Sequence, residues 1–543
     1  MPRHAFDVMP PPVGKSAKRI ARAGVTQLIH VSQPMSSDPS PASENYDVVI
    51  IGGSLSGAST AILLMRHNPG LRVLIVDKTT AFTRGIGEAT VEVSTYFLGR
   101  VLGLTQYLNE SHLVKQGLRF WFANDEVESL DQAGEIGGCY LSRMPSYQID
   151  RSTFDEEVLR RACLAGADLL RPATVSNVRL QPGGMQSLDV SQGDKKRAVT
   201  ARWIVDASGL AATLARQEGW WTPNAEHHTT SAWARWKGVK DWDSRELAER
   251  FPQWSKAVYG TRNTATNHIV GDGWWSWWIP LKGGDVSIGI VFDQRLVDFP
   301  REGGSVGDRL KAFLMKNPVA REMLADAHYI EDDVHWRKNL AYYSTKFSGD
   351  GFVLVGDAAV FIDPFYSPGM DWISFTASSA ANLVTQYFRG AAMPELIARH
   401  NRDFSVGASR WFEALHKDKY EYLGEFDLMR LAFQLDYSLY LWGVAEQAFH
   451  IGDEAFYSPP FSPPSGLLFW KFMSCYNRRL AKIARRRRRL GRLGRTNANR
   501  RYLITGYTLN RGNMWKLVPM LMDWAKLELT EGWRSWLDPD VVA

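Results

Sequence analysis

The run Asp47-Val48-Val49-Ile50-Ile51 passes directly into Gly52-Gly53-Ser54-Leu55-Ser56-Gly57. Few folds accommodate that junction. The β-branched run predicts a strand buried on both faces. Residues 58–66 predict a helix, and Val73-Leu74-Ile75-Val76 predicts a second strand ending at Asp77. The result is a β-α-β unit with its glycines at the first turn. Gly52 permits the tight turn and Gly57 permits close helix–strand packing. The helix N-terminus offers free N–H groups and a positive dipole end to a pyrophosphate. Ser54 stands at the central position of G-x-G-x-x-G and brings a Cβ near the phosphates. Asp77 lies near the distance at which an acid meets a ribose. Gly52, Gly53, Ser54, Ser56, Gly57 and Asp77 are therefore the candidate dinucleotide residues.

At 543 residues the chain has room for two or three packed units. Its three cysteines form no metal-ligand or redox pair by spacing, which suits a reducing, cytoplasmic setting and predicts no metal site. No apolar run reaches the length of a membrane span, and no signal peptide is visible. The net charge is +6, but residues 478–501 hold twelve Arg or Lys and no acid. The remainder carries −6, which argues against a general nucleic-acid-binding protein.

Residues 1–45 lack periodicity and predict a disordered extension, with Met35 an alternative start and a basic transit peptide a weaker reading. Residues 46–225 and 341–390 read as two parts of one nucleotide-binding module. Residues 226–340 read as a β-rich substrate module, and 391–543 as a helical C-terminal region containing the basic segment. A helix is expected over 151–171 and another over about 372–388. The fold class is α/β.

Phe352-Val353-Leu354-Val355 leads into Gly356-Asp357-Ala358-Ala359. This resembles the second fingerprint of the glutathione-reductase/hydroxybenzoate-hydroxylase type of FAD fold. Asp206-Ala207-Ser208-Gly209 and Tyr147-Gln148-Ile149-Asp150-Arg151 resemble its intervening elements. The resemblance implies FAD, with Asp357 near the ribityl and pyrophosphate and Arg151 near the flavin. A second G-x-G-x-x-G for NAD(P)H is absent, which implies a separate flavin reductase.

Two further segments narrow the family. Trp275-Ser276-Trp277-Trp278-Ile279-Pro280 and Phe361-Ile362-Asp363-Pro364-Phe365-Tyr366-Ser367-Pro368-Gly369 resemble the W-x-W-x-I-P and F-x-x-P-x-x-S-x-G patterns of flavin-dependent halogenases. Arg84-Gly85-Ile86-Gly87-Glu88-Ala89-Thr90 resembles the family's flavin-side loop, and Lys115, before Arg119-Phe120, its active lysine. The resemblance implies that reduced FAD, O2 and chloride or bromide yield hypohalous acid. That oxidant passes Trp275 and Trp277 to Lys115, which directs it onto an electron-rich aromatic. Phe361, Pro364 and Tyr366 complete the implied passage. Ser367, Gly369 and Met370 surround the implied halide. As a strand, the first segment points Trp275, Trp277 and Ile279 to one face and Trp274, Ser276 and Trp278 to the other.

Two departures refine this picture. Tryptophan halogenases carry Glu where Tyr366 stands, so among phenol-, pyrrole- and indole-type rings, free or carrier-tethered, the resemblance points to phenols or pyrroles rather than tryptophan. Pro368 lacks an N–H, leaving Gly369 and Met370 as halide donors. The Pro-Gly pair also suits a flavin monooxygenase that hydroxylates an aromatic, and the fold suits a flavin-dependent isoprenoid reductase. The basic segment reads first as a solvated helix face. A peripheral membrane contact and docking of an acidic acyl carrier protein are its functional alternatives.

Overall fold

The computed structural model describes residues 44–141, 146–504, 515 and 517–536. Most of the expected N-terminal extension lies outside these residues. Glu44 and Asn45, assigned to it, already belong to the first strand, Glu44–Ile51.

A five-stranded parallel array lies at the centre of the first sheet. Its order is Phe352–Leu354, Lys195–Asp206, Glu44–Ile51, Val73–Val76 and Asp168–Leu170. Val48, Val49 and Ile50 are fully buried, as a strand covered on both faces requires. The helices Leu55–His67 and Gly369–Phe388 pack on one another beside this array. The helix expected over 151–171 stops at Leu164, because Gly166 adopts φ +108° and the chain returns as the strand Asp168–Leu170.

A second eight-stranded sheet runs in the order His328–Lys338, Thr229–Lys237, Val286–Asp293, Trp274–Pro280, Thr266–Gly271, Leu118–Phe122, Gly134–Gly138 and Arg501–Ile504. Strands from well outside 226–340 thus complete the β-rich region. Its faces belong to two different cores. Trp275, Trp277 and Ile279 join the core shared with the nucleotide-binding sheet, while Trp278 joins a second core with Trp121, Trp242 and Trp254. The alternation expected for this strand is therefore realised, and both of its faces are apolar.

The C-terminal region is mainly helical, including Met393–Leu415, Phe426–Tyr440, Leu467–Arg489 and Leu517–Thr530. Among the described residues, no helix is long and apolar enough to cross a membrane.

Candidate active site

The nucleotide loop closes as its glycines predict. Gly52 has φ +101°, and a Cβ there would lie 2.5 Å from the carbonyl oxygen of Ala207. A Cβ at Gly57 would lie 1.9 Å from that of Gly52. Ser54 has φ −71° and ψ −171°, extended backbone that needs no glycine, so its departure from the motif carries no conformational strain. Asp77 Oδ2 accepts from the Gly53 amide at 2.7 Å and stiffens the turn. Ser56 touches the second fingerprint, where a Cβ on Gly356 would meet its Oγ at 2.5 Å. Arg151 is ion-paired with Asp155 at 2.9 Å and donates to the carbonyl of Ile86 at 3.1 Å, tying its helix to the 84–90 loop. Arg84 is exposed. Burial raises the Asp357 carboxyl to about 6, against the pull of Arg151 and Arg337. FAD fits these residues: a glycine-walled turn at a helix N-terminus, with an acid after the second fingerprint.

A cavity of about 550 Å³ lies among the substrate-side elements. Lys115, Glu92, Phe365, Tyr366, Asp371 and Tyr440 line it. Lys115 ends the short strand Leu113–Lys115, paired with Ser146–Gln148, and is 1% exposed. Its Nζ donates to the carbonyl oxygen of Thr90 at 2.7 Å. Burial lowers its pKa to about 8, although Glu92 and Asp371 pull the other way.

The cavity carboxylate that sequence reading missed is Asp371, in the first turn of the helix Gly369–Phe388. Its Oδ1 accepts from the Ser94 amide at 2.9 Å, and its Oδ2 accepts from Tyr440 Oη at 3.3 Å. Burial raises its pKa to about 7. Trp411 and His416 also line the cavity. The Trp411 Nε1 and both His416 nitrogens are buried without a hydrogen-bond partner among the described residues, although His416 Nδ1 lies 3.8 Å from Asp363 Oδ1. Burial lowers His416 to about 3, so the ring is neutral at pH 7.

Only part of the Phe361–Gly369 segment reaches the cavity: Phe365, Tyr366 and Pro368 line it. Phe361 instead stacks on Tyr342, with centroids 6.2 Å apart. Pro364 lies in the turn, where its carbonyl accepts from the Ser367 amide at 2.9 Å. Tyr366 and Ser367 hold φ of +70° and +59°, two consecutive left-handed residues without glycine. The turn is fixed by side chains: Tyr366 Oη donates to Asp436 at 3.1 Å, and Asp436 pairs with buried Lys419 at 2.7 Å. Pro368 caps the next helix, so Gly369 and Met370 are its first two residues, and their amides have no protein acceptor among the described residues.

Neither Trp275 nor Trp277 lines the cavity. Trp275 packs edge-on against Phe365, with centroids 5.1 Å apart, one layer behind the wall. Its Nε1 donates to Tyr420 Oη at 2.8 Å, and Tyr420 donates to Asp363 Oδ2 at 3.0 Å. His227 Nε2 meets the same oxygen at 2.6 Å. Burial alone would raise the Asp363 carboxyl, but His227, His416 and the Phe365 amide hold it below the usual range. Trp277 Nε1 donates to Ser287 at 3.2 Å.

The basic segment is partly neutralised within the fold. Arg485 pairs with Asp418 and Glu421, Arg487 with Glu425 and Glu531, and Arg488 with Asp272 and Glu421. Its last residue, Arg501, opens the strand Arg501–Ile504 of the second sheet. The structure gives its membrane-contact reading no support.

The two fingerprints, joined through Gly52, Gly57 and Gly356, define an FAD-binding flavoprotein with a separate, lysine-containing cavity. The chain belongs to the tryptophan halogenase family of flavin-dependent halogenases, whose profile matches residues 47–137 and 132–459. It is 29% identical over 381 residues to a flavin-dependent halogenase of Dictyostelium discoideum, covering 62% of this chain and 61% of that protein's length. It is 24% identical over 412 residues to a 1H-pyrrole-2-carbonyl-(peptidyl-carrier protein) chlorinase of Pseudomonas fluorescens, covering 72% and 85%. The halogenase PltM, solved with phloroglucinol and FAD, shares the fold at TM-score 0.65 and 19% identity, over 84% of this chain and 94% of that one. The flavin-dependent brominase Bmp2 shares it at TM-score 0.58 and 20% identity, over 81% and 100%. The cofactor of this chain is accordingly FAD.

Proposed function

We propose that this protein halogenates an electron-rich aromatic of the phenol or pyrrole class, with hypohalous acid directed by Lys115. The observation that carries this reading is the buried Lys115 ammonium on the wall of an aromatic cavity, separate from the nucleotide loop. Bound reduced FAD, with O2 from solution, supplies the oxidising equivalents that turn chloride or bromide into hypohalous acid. The helix-opening amides of Gly369 and Met370 suit a halide without any N–H from Pro368.

At Lys115 the ammonium donates to the oxygen of hypohalous acid and makes its halogen more electrophilic. The ring's π electrons then attack the halogen as the halogen–oxygen bond breaks and the oxygen leaves as water. Asp371 Oδ2 accepts the ring proton, the step that restores aromaticity. Its pKa of about 7 suits a general base at neutral pH. Phe365 and Tyr366 flank a flat ring, and the Trp411 Nε1 and His416 Nε2, which lack hydrogen-bond partners among the described residues, suit its polar substituents. Trp275 stiffens Phe365 and, through Tyr420, the Asp363 turn.

We assign the reduction of FAD to a separate flavin reductase, and the carrier-protein chlorinase among the relatives supports a carrier-tethered substrate as a second form. The test is incubation with FAD, a flavin reductase, NADH and either halide over phenols, pyrroles and indoles, read by mass spectrometry. Halogenated phenol or pyrrole is expected. Hydroxylated product without halogen would overturn the reading in favour of a monooxygenase.

A further inference from the structure

The helix Leu517–Thr530 lies on the outer side of Phe426–Tyr440, whose inner residues Phe433, Asp436 and Tyr440 line the cavity. Its inward side is satisfied. Met520 is buried, and Trp524 packs near Phe472 and Tyr476, with centroids 5.9 and 6.3 Å away. Its outward side is apolar: Val518, Leu521, Met522, Ala525 and Leu529 form one exposed stripe at helical spacing. Met522 is 67% and Leu529 79% exposed, values foreign to core-seeking side chains. Trp533 and Trp536 extend the patch through the following turn.

The charges around this stripe are sorted by sign. Each acid of the helix and its turn is ion-paired: half-exposed Asp523 with Arg430, and the more buried Glu528 with Arg479 and Glu531 with Arg487. The exposed charges without an ion pair among the described residues of this element are cations, Lys526 and Arg534, and Lys482 lies 4.8 Å over the Trp536 ring. An apolar stripe with peripheral tryptophans and a cationic rim is complementary to an anionic lipid surface. A two-fold contact between copies of this chain would instead bring cationic rims together.

We propose that the outward face of Leu517–Thr530, with Trp533 and Trp536, docks the protein on anionic membrane surfaces. The contact is peripheral. Aliphatic and indole side chains enter the headgroup boundary while Lys526 and Arg534 meet lipid phosphates. It places the cavity two helices from the lipid, behind Phe426–Tyr440 and Leu517–Thr530, which favours apolar aromatic substrates that partition there.

The test is flotation of the full FAD-loaded chain with vesicles of phosphatidylcholine, alone or mixed with phosphatidylglycerol. Binding to the mixed vesicles is expected, weakening as salt rises. Leu521→Glu with Leu529→Glu should lower it by about tenfold or more, since two charges would replace buried aliphatic groups. Halogenation of a water-soluble phenol and the bound-flavin spectrum should not change. Lys526→Glu with Arg534→Glu provides a second variant, expected to abolish the preference for phosphatidylglycerol. Failure of the wild-type chain to float overturns the proposal, as does unchanged binding by both variants. A concentration-dependent dimer that the leucine substitutions dissolve would assign the face to self-association and also overturn it.

Discussion

The Lys115 ammonium donates to the carbonyl oxygen of Thr90 at 2.7 Å. Thr90 closes the loop that starts at Arg84, and Arg151 grips the same loop at Ile86. One backbone segment therefore runs from the flavin side to the lysine. The contact fixes the ammonium without neutralising it, because a carbonyl accepts a hydrogen bond and offers no full charge. Lys115 retains donor capacity for an incoming oxidant.

Lys115→Met should retain bound FAD, because no residue of the nucleotide turn touches it, yet lose about 10²–10⁴-fold in halogenation, the range for a single positioned acid. Product formation per turnover, with flavin absorbance as the control, checks this. Full halogenation by the variant would remove Lys115 from the mechanism.

The pH dependence of kcat/KM should be a narrow bell. Activity rises as Asp371 ionises near about 7 and falls as Lys115 loses its proton above about 8. The two groups are coupled, so the limbs belong to the pair. Asp371→Asn should abolish the lower limb and slow turnover, while a structural role alone would leave the limb in place. Halogenation of pre-formed substrate panels across pH 6–9 is the measurement, a window of about one unit beyond each limb.

Gly57→Ala should abolish FAD binding, since its Cβ would fall 1.9 Å from the Gly52 oxygen and separate helix from strand. Ser54→Gly should keep it, because Ser54 already has extended backbone. Flavin fluorescence titration distinguishes the pair.

The nucleotide half was legible because its signals are local. Glycines, a β-branched run and an acid within about thirty positions specify a β-α-β turn without distant partners. The faces of Trp274–Pro280 were legible for the same reason, through period two. The setting of Asp371 beside the Lys115 cavity was not. Asp371 approaches Ser94 across 277 positions and Tyr440 across 69, and neither spacing leaves a trace along the chain. Asp371 stands only four residues after Ser367, so the first acid after the missing Glu was the available clue. The arginine run misled because its acids, such as Asp418, Glu421 and Glu531, come from other elements.

Asp363→Ala should destabilise the fold by about 3–5 kcal/mol, the cost of stripping a buried carboxylate from its partners. It would orphan His227, Tyr420 and the Phe365 amide together. The folded Asp363 pKa lies below its ordinary value. Its stabilisation is therefore present above about pH 4, the unfolded carboxylate value, and is lost as pH falls through the lower folded value. Denaturant unfolding of wild type and variant at neutral and acid pH gives both quantities. Equal stability of the two at neutral pH would show the network to be dispensable.

The strand Trp274–Pro280 serves two cores, and this gives its pairing an unusual security. In most sheets a one-residue slip trades a buried face for a wet one. Here a slip would trade one dry face for another, so burial by itself discriminates poorly between registers. Shape does the discriminating: Gly289, opposite Trp277, has space for no Cβ, since one would lie 2.3 Å from the indole. Glycine and indole act as notch and key along the ladder, and Gly289→Val would unlock the strand's alignment without touching any group that meets substrate.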